Sequence, residues 1–318
     1  MHLRLLPLLL LCACKPGTPS QPAPATAPIA PPTLAPTSSA PTSSAPGEPS
    51  ASKADLPAPS PAAASKPTEA GSTYWSPQML HTEIKYHNPQ YDGSGQFEID
   101  QGQPLALNLR GASIQSLEFL TKLKPLALDL SGTPIKDIRP LKGMALIELY
   151  LEDSTVIDLS VLRGMPLQKL YLNNTPVNDI SALQGAPLTE LNLVGTKVTD
   201  LSALSKSPIE MLWLTDTGVR DIAPLRGLPL VSLTIHRTAV ADLGPLAGSR
   251  LQRLHIGETA VEDLSPLKGL PLTRLVFTPA RIKKGLDVAK TLPLQEIGTR
   301  FDEGGRDLSP PDVFWSKP

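Results

Sequence analysis

Leucine recurs along this sequence at an unbroken spacing of 21 residues, and no other feature restricts the possible folds as strongly. The nine members of this column are Leu107, Leu128, Leu149, Leu170, Leu191, Leu212, Leu233, Leu254 and Leu275. A second apolar column runs from Leu109 to Phe277, and a column of Thr, Ser or Ala runs from Ala112 to Ala280. Such a period is typical of a solenoid, in which each copy buries its apolar face against the next.

Polar and apolar residues alternate within each copy, as in Leu170, Tyr171 and Leu172. A period of two indicates a half-buried strand, with the leucines facing inward and the residue between them facing solvent. We therefore predict one short strand per copy, parallel to its neighbour and about 4.8 Å from it. The hydroxyl groups of the Thr column are expected to bond backbone groups where the chain leaves the strand.

The second half of each copy carries the signals of a short helical turn. A column of aspartates extends from Asp137 to Asp263, and an Asp carboxylate accepts the free N–H groups at a helix N-terminus. Proline is common inside the first turn, and glycine, as at Gly143 and Gly164, ends it. We predict a 3₁₀ or α turn here. We assign the aspartates to capping because no copy supplies the several oxygen ligands of a calcium site.

The pattern L-x-x-L-x-L-x-x-T-x-V-x-D-L-S-x-L-x-G, clear at residues 166–186, resembles the leucine-rich repeat, and its short period is similar to that of bacterial internalins. The resemblance implies an α/β leucine-rich-repeat solenoid with one short parallel strand and a 3₁₀ or α turn per coil. About nine coils would occupy residues 104–284. Because the ends of a solenoid expose its core, N- and C-terminal caps are expected at residues 72–103 and 285–318.

Apolar residues in both flanks are candidates for covering the end coils. At the N-terminal end these are Trp75, Met79, Leu80, Ile84, Tyr86, Tyr91, Phe97 and Ile99. At the other end we predict a short helix at 286–292 and a last strand in the sequence PLQEIG, followed by Pro311, Val313, Phe314 and Trp315. Both flanks resemble those of repeat domains attached to bacterial receptor-like serine/threonine kinases, although this sequence lacks the kinase motifs.

The N-terminus carries the signals of export. Arg4 precedes an apolar run, residues 5–13, which is too short to cross a bilayer but suits a signal peptide. The run ends in the letters LCAC, which resemble the bacterial lipobox. The resemblance implies a lipoprotein signal peptide at residues 1–13 and a membrane anchor on Cys14. Because Lys15 is not Asp, it also implies the outer membrane, on the periplasmic or surface face. The alternative is an ordinary signal peptide and a soluble secreted protein.

Residues 14–71 consist mainly of Pro, Ala, Ser and Thr and contain almost no large apolar side chains. Such a segment cannot bury enough surface to offset its chain entropy. We therefore predict a disordered tether between the lipid anchor and the solenoid.

The residues between the two leucines of each strand form the predicted concave face, where the fold imposes few constraints. Tyr150, Tyr171 and Trp213 are the strongest candidates for partner binding, because Tyr and Trp are frequent interface anchors. The other candidate partner-binding residues are Glu152, Asn173, Glu190, His236, Arg237, Arg253 and His255. The face is expected to grade from acidic near the tyrosines to basic near Arg253 and Arg274, which would orient a charged partner.

The expected partner is a protein, and the alternative is a glycan or another cell-envelope component stacked on the aromatic rings. If the face binds no ligand, its aromatic and charged side chains are ordinary solvated strand residues, or the solenoid is a structural spacer. His236 and His255 share the face without an obvious third ligand, so we treat both as surface histidines and assign no metal.

Several classes of function are disfavoured by composition. The only cysteines are Cys12 and Cys14, so no disulfide or cysteine-based metal site can form in the repeats. A formal net charge of −1 provides no basic groove for nucleic acid. No nucleophile and base, and no isolated carboxylate pair, stand out. We expect a monomer with no enzyme activity and no cofactor.

Overall fold

The computed structural model of the chain describes residues 74–300 and 308–316. The predicted signal peptide at 1–13, the predicted lipidation site Cys14 and the predicted tether at 14–71 lie outside the described residues. Within these ranges, no helix is both long enough and apolar enough to span a bilayer.

One sheet of eleven strands runs through the described residues, and the strands are ordered as in the sequence. The strands are β1 (Gln96–Asp100), β2 (Gln103–Asn108), β3 (Ala127–Asp129), β4 (Glu148–Tyr150), β5 (Lys169–Tyr171), β6 (Glu190–Asn192), β7 (Met211–Trp213), β8 (Ser232–Thr234), β9 (Arg253–His255), β10 (Arg274–Val276) and β11 (Glu296–Gly298). From β2 onward neighbouring strands are parallel, and their register places Leu170 opposite Leu149 and Leu191. The predicted leucine-rich-repeat solenoid is confirmed.

The leucine column forms a continuous core along the sheet. Every member of the column is at most 1% exposed, and Leu170 and Leu172 are both fully buried. Complete burial of a leucine side chain stabilises a fold by about 1.5–3 kcal/mol. Because successive coils share this core, burial in one coil depends on the presence of the next.

The Thr column bonds the backbone as predicted. The hydroxyl of Thr133 donates to the carbonyl of Leu130 at 2.6 Å, and that of Thr238 donates to the carbonyl of Ile235 at 2.7 Å. These threonines are buried, so the bond satisfies a carbonyl at the point where the chain leaves the strand.

The second half of each coil, which returns the chain to the start of the next strand, contains a short 3₁₀ turn. We call these the return turns. The turns are Glu118–Lys122, Arg139–Leu141, Ser160–Leu162, Ser181–Leu183, Ser202–Leu204, Ala223–Leu225, Gly244–Leu246 and Ser265–Leu267. One further 3₁₀ turn of the described residues, Pro279–Arg281, directly follows β10 and is not part of this series. The aspartate carboxylate accepts the N–H two residues later, as Asp158 does from Ser160 at 2.8 Å. The aspartate therefore lies one residue ahead of the N-cap position, which is apolar Leu159 in this coil. The predicted capping role holds, from a position one residue earlier than a standard N-cap.

Six of the 3₁₀ turns are followed by a glycine that a type II β-turn requires: Gly143, Gly164, Gly185, Gly227, Gly248 and Gly269. Lys142 has φ −53° and ψ 123°, and Gly143 follows with φ 76°, as a type II turn demands. One coil has Lys206 at the glycine position, and there the preceding Ser205 has φ −59° and ψ −14°. These angles fit a type I turn, which needs no positive φ. The solenoid thus accommodates the missing glycine by a change of turn type.

An α-helix and an antiparallel strand form the N-terminal cap. The helix α1 (Pro77–His87) buries Leu80 and Ile84, and Ser76 caps it by accepting the N–H of Met79. Strand β1 pairs antiparallel with β2, so the sheet does not begin with a repeat strand. The side-chain carbonyl of Asn88 accepts the N–H groups of residues 115 and 116, which ties the cap to the first coil.

Two of the residues proposed for the N-terminal cap do not cover the core. Met79 is 43% exposed and Tyr86 is 80% exposed, because both lie on the helix face opposite Leu80 and Ile84. The apolar character of a side chain alone could not indicate which face of α1 would be buried. Tyr91, in contrast, is fully buried as predicted.

The C-terminal end is closed by the helix α2 (Leu286–Thr291), by β11 and by the helix α3 (Pro311–Trp315). The rings of Phe314 and Trp315 pack against Phe277, with ring centroids 6.1 and 6.4 Å away. Ser309 forms an antiparallel bridge with Ile297 and covers the last strand. Val313 was expected to cover the end, but it is 45% exposed on the outer face of α3.

Replacement of Gly185 by Ala tests the type II turns. No atom lies within 4 Å of a Cβ built at this glycine, so its positive φ of 77° is the only source of strain. We expect a loss of about 1 kcal/mol in the free energy of unfolding, measured by urea denaturation. Lys206→Ala is the matched control at the type I turn and should change it by less than about 0.5 kcal/mol. Equal effects of the two substitutions would contradict this explanation.

Candidate binding face

Three aromatic side chains form a strip along the face of the sheet opposite the core. Tyr150 on β4 and Tyr171 on β5 have ring centroids 5.1 Å apart, and Tyr171 and Trp213 are 6.0 Å apart. Trp213 lies two strands beyond Tyr171, so its ring reaches across Asn192 on β6. All three are half-buried, because each ring covers part of its neighbour. We call Tyr150, Tyr171 and Trp213 the aromatic strip.

The tyrosine hydroxyls of the strip are held by acidic residues. Tyr150 donates to Glu148 at 2.9 Å, and Tyr171 donates to Glu190 at 2.9 Å. The ammonium group of Lys169 lies between the two carboxylates, 3.3 Å from Glu148 and 3.7 Å from Glu190. Burial, with the nearby carboxylates, raises the pKa of both phenols, so they stay protonated as donors. The strip therefore presents rings in fixed orientations.

A buried polar network borders the strip on the side where the chain leaves the strands. Arg110 forms ion pairs with Asp129 and Glu152, which are 2% and 6% exposed. Asn173 donates its side-chain amide to Glu152. A buried carboxylate is costly unless it is paired in this way. Glu152 is therefore held in place by the network. Its bond from Asn173 also fixes the Asn173 side chain at the edge of the strip.

Two members of these networks, Arg110 and Lys169, were not among the sequence candidates. The 21-residue spacing of the repeat could have indicated both contacts. Lys169 stands 21 residues after Glu148 and 21 before Glu190, and Arg110 stands 42 before Glu152. Residues in one column of a solenoid lie side by side in adjacent coils.

The two histidines of the face are buried, and their prediction as surface histidines was wrong. His236 is 6% exposed and His255 is 5% exposed, and their rings stack with centroids 4.6 Å apart. The Nδ1 atom of His236 lies 2.8 Å from the carbonyl oxygen of Gly257. Gly257 makes the stacking possible, since a Cβ there would approach both rings within 3.0–3.1 Å. Burial, followed by the charges of His236 and Arg237, lowers the pKa of His255 to about 3.

The predicted basic end of the face is smaller than the sequence indicated. His255 is neutral at physiological pH, as its lowered pKa requires. Arg237 forms an ion pair with Asp216, and Arg274 forms one with Glu296. Arg253 is exposed on β9. The predicted gradient of charge therefore has an acidic half near the strip but only a weak basic half.

No set of three or more His, Cys, Asp or Glu side chains within residues 74–300 and 308–316 is placed to hold a metal ion. The stacked histidines present their ring faces to each other, which is unlike the convergent nitrogen atoms of a metal site.

The described part of the chain is thus a leucine-rich-repeat solenoid with an ordered aromatic strip. It is similar to the structure of the internalin InlF from Listeria monocytogenes, with 26% sequence identity and a TM-score of 0.53, over 69% of this chain and 75% of InlF. It is also similar to internalin C2 from the same species, with 23% identity and a TM-score of 0.54, over 63% of this chain and 92% of the other. The second similarity supports the fold alone. No family model and no curated protein matches the chain.

The buried histidine predicts a pH dependence of stability. The folded state keeps His255 neutral down to about pH 3, whereas the unfolded chain binds a proton below its ordinary pKa of about 6.5. The free energy of unfolding should therefore fall as pH falls from about 6.5 toward 5, with about one proton taken up on unfolding. Urea denaturation across this range should show a shallower slope for His255→Gln.

Thr234→Val is the control for this measurement. Thr234 pairs with His255 across β8 and β9, but its replacement removes no titratable group. Its slope should equal that of the unmodified protein. Parallel slopes for the protein and His255→Gln would show that His255 does not cause the pH dependence.

Proposed function

We propose that this chain is the non-enzymatic binding module of an exported lipoprotein and that its concave face contacts a protein partner. The observation that carries the proposal is the continuous aromatic strip, whose tyrosine hydroxyls are already held by Glu148 and Glu190. Rings ordered before binding lose little conformational entropy when a partner arrives. The leucine-rich-repeat fold, shared with InlF, supports a binding role, because solenoids present extended concave surfaces.

The surroundings of the strip favour a protein over a glycan. Uncharged Val194, Met211 and Thr215 lie beside Trp213 and are all half-buried. Charged residues border this centre. Glu190 on β6 lies opposite Met211, Lys169 follows on β5, and Arg253 lies on the other side on β9. An apolar centre with a polar rim is the usual anatomy of a protein interface. The tyrosine rings also cover each other in part, which leaves less open ring surface for a sugar.

Photo-crosslinking in the native cell tests the proposed face. A benzophenone amino acid at position 213 should yield a discrete covalent adduct with one protein. The same group at position 157, where Ile157 is 57% exposed away from the strip, is the matched control and should not. Adducts of equal pattern at both positions would contradict a specific interface.

The captured partner then allows a measurement of affinity. Trp213→Ala should weaken binding by about 2 kcal/mol or more, or roughly thirtyfold, because a central Trp is typically a dominant contact. Ile157→Ala should leave affinity unchanged. Binding of a glycan array by the protein, abolished by Trp213→Ala in the absence of any protein adduct, would favour the glycan alternative instead.

We further propose that Cys14 carries the lipid anchor and that the protein is held at the outer membrane. The support is the LCAC sequence at the end of the apolar run and the residue Lys15 after it. A multiply acylated cysteine would anchor the chain far more stably than one acyl chain, whose binding is marginal. The Pro-rich residues 14–71 would then link the solenoid to the membrane.

The two N-terminal cysteines provide a built-in control for the anchor. Cells grown with an alkyne fatty acid should incorporate the label into the protein, and Cys14→Ser should abolish the label. Cys12→Ser should retain it, because this position precedes the expected cleavage site. Labelled protein should sediment with outer-membrane fractions. Label that persists in Cys14→Ser would exclude this lipidation site.

A further inference from the structure

The segments that lead from the return turns into the strands carry positive charge but no negative charge. Eight short segments, which we call the descending flank, connect the return turns to the following strands. They are residues 121–125, 142–146, 163–167, 184–188, 205–209, 226–230, 247–251 and 268–272. These segments contain no Asp or Glu and eight cations, all exposed: Lys122, Lys124, Lys142, Arg163, Lys206, Arg226, Arg250 and Lys268.

The opposite side of the solenoid, where the chain leaves each strand, differs in charge. Its acidic residues are Glu152, Asp153, Asp216 and Glu258, and its basic residues are Arg110 and Arg237. Both of these arginines are ion-paired. On the descending flank, by comparison, Lys122 is the one cation with an ion pair to a carboxylate of the described residues, Glu83 at 2.8 Å. The two sides of the solenoid are therefore electrostatically distinct.

The turn geometry arranges four of these cations in a line. Lys142 occupies the second position of a type II turn, at its exposed tip, and Gly143 follows it. Arg163, Arg226 and Lys268 occupy the same position in their own turns. The parallel register repeats this position from coil to coil, so the six steps of about 4.8 Å from Lys142 to Lys268 give a line roughly 29 Å long.

The aspartate column lies on the neighbouring return turns. Its carboxylates offset part of the positive charge of the descending flank. Arg163 is near enough to Asp179 to contribute to the lowered pKa of that carboxyl, although backbone and side-chain hydrogen bonds from Ser181 are the larger causes. The carboxylate is turned toward the backbone of its own turn, as the 2.7 Å bond from the N–H of Ser181 shows. The lysine and arginine side chains instead extend from the turn tips.

We propose that the descending flank is an electrostatic docking surface for an anionic phospholipid bilayer. A line of exposed cations fits a flat anionic surface, and each Lys or Arg near such a surface strengthens partitioning by about fivefold. The membrane is favoured over a soluble polyanion by the N-terminus of this chain. A lipid anchor at Cys14, as proposed above, would keep the flank at a high effective concentration near the bilayer.

Vesicle sedimentation of the full chain tests this inference. Vesicles with about one-third phosphatidylglycerol in phosphatidylcholine are compared with pure phosphatidylcholine, which reports any contribution of the apolar N-terminal run. The protein should bind the anionic vesicles more tightly, and about 0.5 M salt should remove the difference. The flank variant replaces Lys142, Arg163, Arg226 and Lys268 by Gln and should lose at least about fiftyfold in affinity for the anionic vesicles.

The matched control replaces four exposed cations elsewhere, Lys136, Lys197, Arg220 and Arg281, by Gln and has the same net charge. It should retain most of the binding, and circular dichroism should show both variants folded. Equal losses in the two variants, or equal binding to both vesicle types, would overturn the proposal. Binding to a polyphosphate resin without binding to anionic vesicles would overturn it as well. The aromatic strip is unchanged in every variant, so a loss of vesicle binding would not contradict the proposed partner-binding face.

Discussion

The stacking of inward leucines from one coil onto the next is the interaction on which the rest of the structure depends. A single coil offers a three-residue strand and a three-residue turn, which could not bury their apolar side chains alone. Leu149, Leu170 and Leu191 lie opposite one another in consecutive strands and are fully buried. No cysteine follows Cys14, so no disulfide reinforces this core. The same register that aligns the leucines also aligns the residues between them, which is why Tyr150 and Tyr171 meet.

The polar columns adapt the backbone to this core rather than define the fold. Buried threonines such as Thr175 return a hydroxyl to the carbonyl three residues earlier, and aspartates such as Asp200 hold the start of the 3₁₀ turn. These local bonds satisfy groups that the short turns would otherwise leave unpaired. Their role explains why one coil can dispense with its turn glycine. With Lys206 at that position the turn changes type, while Leu204 and Ile209 on either side remain buried.

The sequence predicted the fold well because each structurally constrained position occurs nine times, once in every copy of the repeat. The strand positions, the parallel order and the Thr hydrogen bonds all follow from columns that can be compared across copies. The caps occur once, so nothing in the pattern showed that Met79 and Tyr86 would face solvent or that β1 would be antiparallel. Burial on the concave face was also not predictable from alternation. His255 lies between Leu254 and Ile256 in sequence, yet stacking on His236 next to Gly257 removes it from water.

The two proposed surfaces occupy positions that the core does not constrain, and they do not compete for the same side of the molecule. The aromatic strip lies on the face of the strands, whereas the cations precede the strands at the tips of the type II turns. A solenoid held at a bilayer by its descending flank would present its strand face alongside the membrane rather than into it. Trp213 would then stay accessible to a partner. The separation follows from the repeat itself, because residues at different positions of one coil extend into different sides of the stack.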